Sequence, residues 1–191
     1  MDDEDKLDAP SEANGPRRLY REDLRARKPD RAVFLEAPRS PIALVLDGVD
    51  GNYNKGAIFR LADSFLLERV HFCQTTIEHK HRRFLKSARG THRWVPYEAG
   101  EDPLDVIQSY RERGYRIVVT EQCEGSVPLL DADLGSPVCI VLGGELSGVS
   151  PEVIAVADIV VELPTMGMAN SLNVAMSAGM MVLSAFRCLP R

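Results

Sequence analysis

Five short runs of Val, Ile and Leu constrain this chain more than any other feature: "IALVLD" (42–47), "RVHFCQ" (69–74), "YRIVVTE" (115–121), "VCIVLG" (138–143) and "DIVVELP" (158–164). Each is strand-length and nearly continuous in apolar side chains, where a half-solvated strand would alternate. Strands of that kind are covered on both faces and belong to parallel sheets. The stretches between them repeat apolar residues at helical spacing: "GAIFRLADSFLL" (56–67), residues 103–113 ending at Gly114, "PEVIAVA" (151–157) with proline at its first position, and 171–187. The predicted fold is therefore α/β, a mostly parallel sheet with helices on both faces, without internal repeats. In such sheets ligands bind where loops leave the carboxyl ends of the strands. Three loops have a suitable composition, after Asp47, after Leu142 and after Leu163.

At 191 residues the chain suits one domain with a tail. No apolar run approaches the roughly 18 residues needed to span a bilayer, and the acidic start "MDDEDKLDAPSEANGP" has no apolar core of a secretory signal. Cys73, Cys123, Cys139 and Cys188 form no CxxC pair, which points to reduced thiols and to no metal, as in a cytoplasmic protein. The net charge of −5 hides two basic segments. Residues 1–16 carry one Lys against six acids and read as a disordered tail. Residues 17–39 carry eight Lys and Arg against four acids and read as a short helix or extended arm. Residues 79–93, "HKHRRFLKSARGTHR", carry six Lys and Arg with no acid. A phosphate backbone responds to local potential, so Lys80, Arg82, Arg83, Lys86, Arg89 and Arg93 are the candidate nucleic-acid contacts.

The loop after 142, "GGELSGVSPE", fits neither a dinucleotide fingerprint nor a P-loop. Glu145 stands where the former needs its second glycine, and Val149 where the latter needs lysine. The loop after 47 leads into Asn54, Gly56 and Arg60; Asn54 can cap the following helix, and Gly56 allows a ligand or another backbone to come close. The third, "LPTMGMANSLNVAMSAGM", puts small residues and Ser171, Leu172 and Asn173 at the mouth of the most apolar helix. A cap at Asn170 or Ser171 accounts for one polar side chain there, with Val174, Met176, Met180 and Val182 entering the core.

In order along residues 41–187, "NKGAIFRLADSF", "IVLGGELSGVS" and "ELPTMGMANSLNVAMSAGM" resemble the three motifs of the SpoU-type (TrmH-like) RNA 2′-O-ribose methyltransferases of the SPOUT class, and "KSARGTHRWVPY" (86–97) is similar to the segment between the first two. The resemblance implies S-adenosylmethionine as donor, a ribose 2′-hydroxyl of tRNA or rRNA as acceptor, a C-terminal trefoil knot, and a site completed across a homodimer. It implies donor contacts at Thr120, Gly143, Gly144, Gly148, Leu163, Ser171 and Leu172, and a catalytic set of Asn54, Arg60, Glu145, Ser171 and Asn173. The chain would then divide into an acidic tail (1–16), a basic arm (17–40) and a methyltransferase domain (41–191), with too few residues before 41 for a separate RNA-binding domain. Before the motif Asn, where the family often has Asn-Pro, this chain has Gly51-Asn52-Tyr53.

Arg60 matches the family's suggested proton acceptor. A guanidinium stays protonated near neutrality, so positioning a phosphate and stabilising a developing alkoxide suit it better. His79, His81 and His92 lie in the basic segment and read as RNA contacts or plain surface. Two other functions fit the residues less fully: a non-catalytic RNA-binding or assembly protein that keeps the fold, and a small-molecule-binding α/β protein.

Overall fold

The computed structural model describes residues 16–189, so all of the acidic stretch 1–16 except Pro16 lies outside the described residues. The chain divides into two compact units, the first ending at Ala37 and the second starting at Pro38. The first holds two short helices, α1 (Arg21–Ala26) and α2 (Arg31–Leu35), neither with a buried residue. The Asp23 carboxylate accepts the Tyr20 backbone N–H at 2.9 Å, and Asp30 caps α2 by accepting Ala32 N–H at 2.8 Å.

The second unit is built on seven strands: β1 (Ser40–Asp47), β2 (Leu67–Cys73), β3 (Tyr97–Ala99), β4 (Arg116–Thr120), β5 (Val127–Pro128), β6 (Val138–Gly143) and β7 (Ile159–Glu162). They pair in the order β3-β2-β1-β6-β4-β7-β5, parallel throughout. The helices are α3 (Asn52–Ser64), α4 (Arg82–Ala88), α5 (Pro103–Glu112), α6 (Pro151–Ala155) and α7 (Val174–Arg187).

Alternation along β1 shows why both faces need a cover. Ile42, Leu44 and Leu46 pack with Ile58 and Phe59 of α3, Phe84 of α4 and Met181 and Val182 of α7. Ala43 and Val45 pack with Val106, Ile107 and Tyr110 of α5 and Val153 of α6. Successive strand residues thus enter different cores, as a sheet buried on both sides requires. Cys73 and Cys139 are free, buried strand residues, and burial pushes both thiols up, Cys73 to about 12, so neither is a reactive thiolate near neutrality.

Several boundaries differ from the pattern-based reading. Helix α3 begins at Asn52, ahead of its apolar stripe, with Gly51 at its cap. Helix α7 begins at Val174, and Met176 and Met180 are 56% and 42% exposed instead of entering the core. Ala178, Met181 and Ala185 take the inward positions alongside Val174 and Val182. The edge strands β3 and β5 are too short to produce a periodic signal.

Gly56 faces another backbone. A Cβ there would lie 2.1 Å from Ser87 Oγ, 2.6 Å from the Phe84 carbonyl oxygen and 2.8 Å from Ala88 N, so α3 and α4 meet through its missing side chain. Replacing a mid-helix glycine by alanine gains about 0.5–1 kcal/mol of backbone entropy, whereas overpacking costs about 1–3 kcal/mol. Gly56→Ala should therefore lower unfolding free energy by ~1–2 kcal/mol in urea denaturation; an unchanged or raised midpoint would show that the two helices do not meet this closely.

Candidate active site

Because the strands run parallel, their carboxyl ends share one edge. Asp47 pairs in register with Gly143, and Thr120 with Leu142 and Val161. The loops after β1, β4, β6 and β7 therefore leave the sheet together. Asp47, only 4% exposed, ties the first to the third: its Oδ2 accepts from Ser150 N at 3.0 Å and Ser150 Oγ at 2.8 Å, and its carbonyl accepts Gly144 N–H at 2.9 Å. The loop after β6 also folds tightly on itself, since a Cβ on Gly143 would fall 2.0 Å from the Gly148 carbonyl carbon.

Asn54 is the third residue of α3 and does not cap it. Its buried side-chain amide instead joins all three motif loops: Nδ2 donates to Glu145 Oε1, and Oδ1 accepts from Asn173 Nδ2 at 3.0 Å. Asn173 in turn accepts Ala175 N–H at 3.0 Å and is the cap of α7, the position expected at Asn170 or Ser171. The cap falls there because the Asn173 side chain can serve Ala175 and Asn54 at once. Arg60 stands apart. Six residues further along the helix places it about 240° around the axis from Asn54, and it is exposed while Asn54 is buried.

Beside this hydrogen-bonded chain lies a cavity of about 520 Å³ between the loops. Gly143, Gly144 and Gly148 line it from one side, and Leu163, Ser171 and Leu172 from another. Thr120 lines it from β4, and its Oγ1 is buried without a hydrogen-bond partner. An orphaned hydroxyl on the wall of a cavity this size suits a nucleoside-sized ligand with polar groups of its own. Thus the sequence candidates for donor contact share one wall system, with Asn54, Glu145 and Asn173 at its edge and Arg60 outside it. A cavity of about 580 Å³ between α5 and α6 contains none of these candidates, and its Arg111 and Asp158 pair with each other at 2.8 Å.

Two residues of this region escaped the pattern-based reading. Glu121 lines the cavity just after β4; its Oε2 accepts Val149 N–H and its Oε1 accepts Gln122 N–H, both at 2.9 Å. An acid at the carboxyl end of a buried strand was the available signal. Lys55, 2% exposed, donates to Asp50 Oδ1 at 3.1 Å, Thr75 Oγ1 at 2.7 Å and the Thr76 carbonyl at 2.8 Å, pinning the loop before α3 to the one after β2. The Lys55 ammonium, helped by Thr75, holds the Asp50 carboxyl below its ordinary range.

The basic segment is α4 and the turn after it. Lys80, Arg82, Arg83, Lys86, Arg89 and Arg93 are exposed, and none pairs with a carboxylate among the described residues. Helix α4 packs on Gly56, two residues along α3 from Asn54. The histidines have local duties: His81 Nδ1 accepts Arg83 N–H at 3.2 Å, His79 Nε2 meets the Tyr97 hydroxyl at 3.0 Å, and His92 packs against Phe84. Burial, reinforced by His79 and Arg93, holds His92 below the ordinary imidazole range. The Lys and Arg side chains of this surface carry their positive charge at any pH near neutrality.

Among the described residues, no group of three or more His, Cys, Asp or Glu could hold a metal, and no helix is long and apolar enough to cross a membrane. The model of the SpoU rRNA methylase family matches residues 41–183. The tRNA (guanosine(18)-2′-O)-methyltransferase of Aquifex aeolicus is 31% identical over 154 residues, which is 80% of this chain and 72% of that protein. Its namesake in Thermus thermophilus is 30% identical over 171 residues, 90% of this chain and 81% of that one. The crystal structure of the Aquifex aeolicus TrmH/SpoU tRNA-modifying enzyme superposes with a TM-score of 0.71 at 30% identity, over 81% of this chain and 78% of that one. The AdoMet-bound rRNA methyltransferase of Sinorhizobium meliloti gives 0.71 at 27% identity, over 83% and 61%.

The orphaned hydroxyl gives a test that needs no ligand. Thr120→Val keeps the shape and removes an unpaired buried polar group, so the ligand-free protein should gain ~1 kcal/mol of unfolding free energy. A loss of similar size would show that the Thr120 hydroxyl is already satisfied.

Proposed function

The chain belongs to the SpoU rRNA methylase family, and we propose that it transfers the methyl group of S-adenosylmethionine to a ribose 2′-hydroxyl of tRNA or rRNA, with tRNA favoured by the Aquifex and Thermus relatives. One observation carries the reading: polar side chains from three segments distant in sequence, Asn54, Glu145 and Asn173, form one hydrogen-bonded chain at the edge of the cavity. Packing alone calls for no such convergence, whereas alignment of two reacting molecules does.

Bound S-adenosylmethionine would supply an electrophilic methyl on a sulfonium, whose C–S bond breaks as the C–O bond forms. Thr120 would offer the donor its free hydroxyl, and the glycine loop 143–148 its backbone N–H and C=O groups. Leu163 and Leu172 would add apolar walls, and Ser171 a hydroxyl beside the ribose. Asn54, held from both sides, would fix Glu145 and Asn173 where the 2′-hydroxyl docks. Arg60 would hold the target phosphate and stabilise the developing alkoxide, and the hydroxyl proton would leave through phosphate or water.

Arg60 lies outside the chain's own cavity, which supports a homodimer in which it serves the partner's site. Met176, Met180 and Leu183 leave an apolar stripe on α7 at 56%, 42% and 52% exposure, as a buried subunit contact would need. The six exposed cations of the 79–93 segment, with the basic arm 17–40, would hold the RNA backbone. Residues 41–191 would form the catalytic domain, with the trefoil knot formed by the loops after β6 and β7, in a cytoplasmic protein.

Incubation with labelled S-adenosylmethionine and bulk tRNA and rRNA should yield label in 2′-O-methylnucleosides after digestion. Label on a base, or none, would reject the reading. If Arg60 acts across a dimer, Arg60→Ala and Glu145→Ala should each be inactive, while a 1:1 mixture refolded together regains about a quarter of the wild-type sites. A mixture as inactive as its parts would place both residues in one chain. RNA affinity should also fall steeply between 50 and 200 mM salt, by roughly a factor of ten for every two phosphates contacted; a flat response would remove the RNA role of residues 79–93.

A further inference from the structure

We propose that Glu121 holds the ribose diol of the methyl donor, a proposal that rests on the donor reading above. Its carboxylate is fixed before any ligand arrives, with Oε2 accepting Val149 N–H and Oε1 accepting Gln122 N–H, both at 2.9 Å. Each oxygen keeps lone-pair capacity, and the residue is half-buried on the cavity wall. A vicinal diol presents two O–H donors at a spacing that two carboxylate oxygens match. Carboxylates near strand ends take this role in dinucleotide sites.

The sheet order places Glu121 across β6 from Asn54. Strand β6 lies between β1 and β4, so the loop 143–149 has the helix after β1 on one side and Glu121 on the other. Glu145 reaches Asn54, in the helix after β1, whereas Glu121 follows β4 and reaches Val149. Glu145 thus belongs to the edge where Asn54 sits, and Glu121 to the other side of the loop. On the β4 side Glu121 can bind the neutral diol. Gly148 preserves the room: with φ at +64° it turns the loop, and a Cβ there would stand 2.5 Å from Glu121 Oε2.

Holding Val149 alone would make Glu121 a loop latch, and the two roles separate by calorimetry. The probes are S-adenosylhomocysteine and its 2′,3′-dideoxy analogue, titrated into the wild-type protein and Glu121→Gln. Diol binding predicts that the wild type loses about 10- to 100-fold in affinity when the diol is removed. Glu121→Gln keeps only one of the two acceptors for backbone N–H, so it should weaken both ligands somewhat, but it should lose about 10-fold or more beyond that toward S-adenosylhomocysteine alone, erasing the advantage of the diol. Glu121→Asp, which keeps the charge but stops short, should behave in the same way and serves if the glutamine variant does not fold. Equal weakening toward both ligands would make Glu121 a latch and overturn the proposal, as would a wild type indifferent to the diol. Failure of the wild type to bind S-adenosylhomocysteine at all would instead overturn the donor reading itself.

Discussion

Asn54 can hold Glu145 and Asn173 together only because a primary amide carries a donor and an acceptor on one planar group. An aspartate there would set a second carboxylate against Glu145, and an apolar residue would leave the other two side chains without a common reference. The amide is buried at the first turn of α3, where Gly51 comes close on one side and the loop after β6 on the other. Its strength as a junction comes from this burial, since a hydrogen bond withdrawn from water resists exchange better than one at the surface. The loops it joins begin at Asp47, Gly143 and Glu162, whose strands end on one edge of the sheet because they run parallel, with β4 between the last two.

The sheet was legible in the sequence because each strand buried on both faces writes a run of Val and Ile that no solvated element tolerates. The core of β6 appears at its observed bounds, Val138–Gly143. Less legible were elements whose stability comes from neighbours. Helix α4 buries little beyond Phe84, Ser87 and Ala88, and β3 and β5 are held as edges by strands already in place. The start of α7 was misplaced because Ser, Asn and Gly crowd residues 165–173, and several of them could cap a helix; the hydrogen bond from Asn173 to Asn54 selects among them.

The site divides similarly. The resemblance of the three motifs singled out Asn54, Glu145 and Asn173, but the sequence alone could not show that they touch across 91 and 119 residues of chain. Glu121 left only a faint trace, one acid after "VVT", since its duty depends on Val149 lying opposite. Gly56 was read as room for a ligand or a backbone, and packing decides for the backbone of α4. That choice matters for function. By bringing α4 onto α3, it sets the basic 79–93 segment beside the helix that carries Asn54, in a chain whose net charge is −5.

A crystal structure grown with S-adenosylhomocysteine probes the central claim most directly, namely that the four loops at the carboxyl edge clasp the methyl donor beside Asn54. The nucleoside should lie between the loops 143–149 and 163–172, with the Thr120 hydroxyl engaged and the sulfur turned toward the Asn54 amide. Density in the cavity between α5 and α6, or an empty loop cavity at saturating ligand, would contradict it.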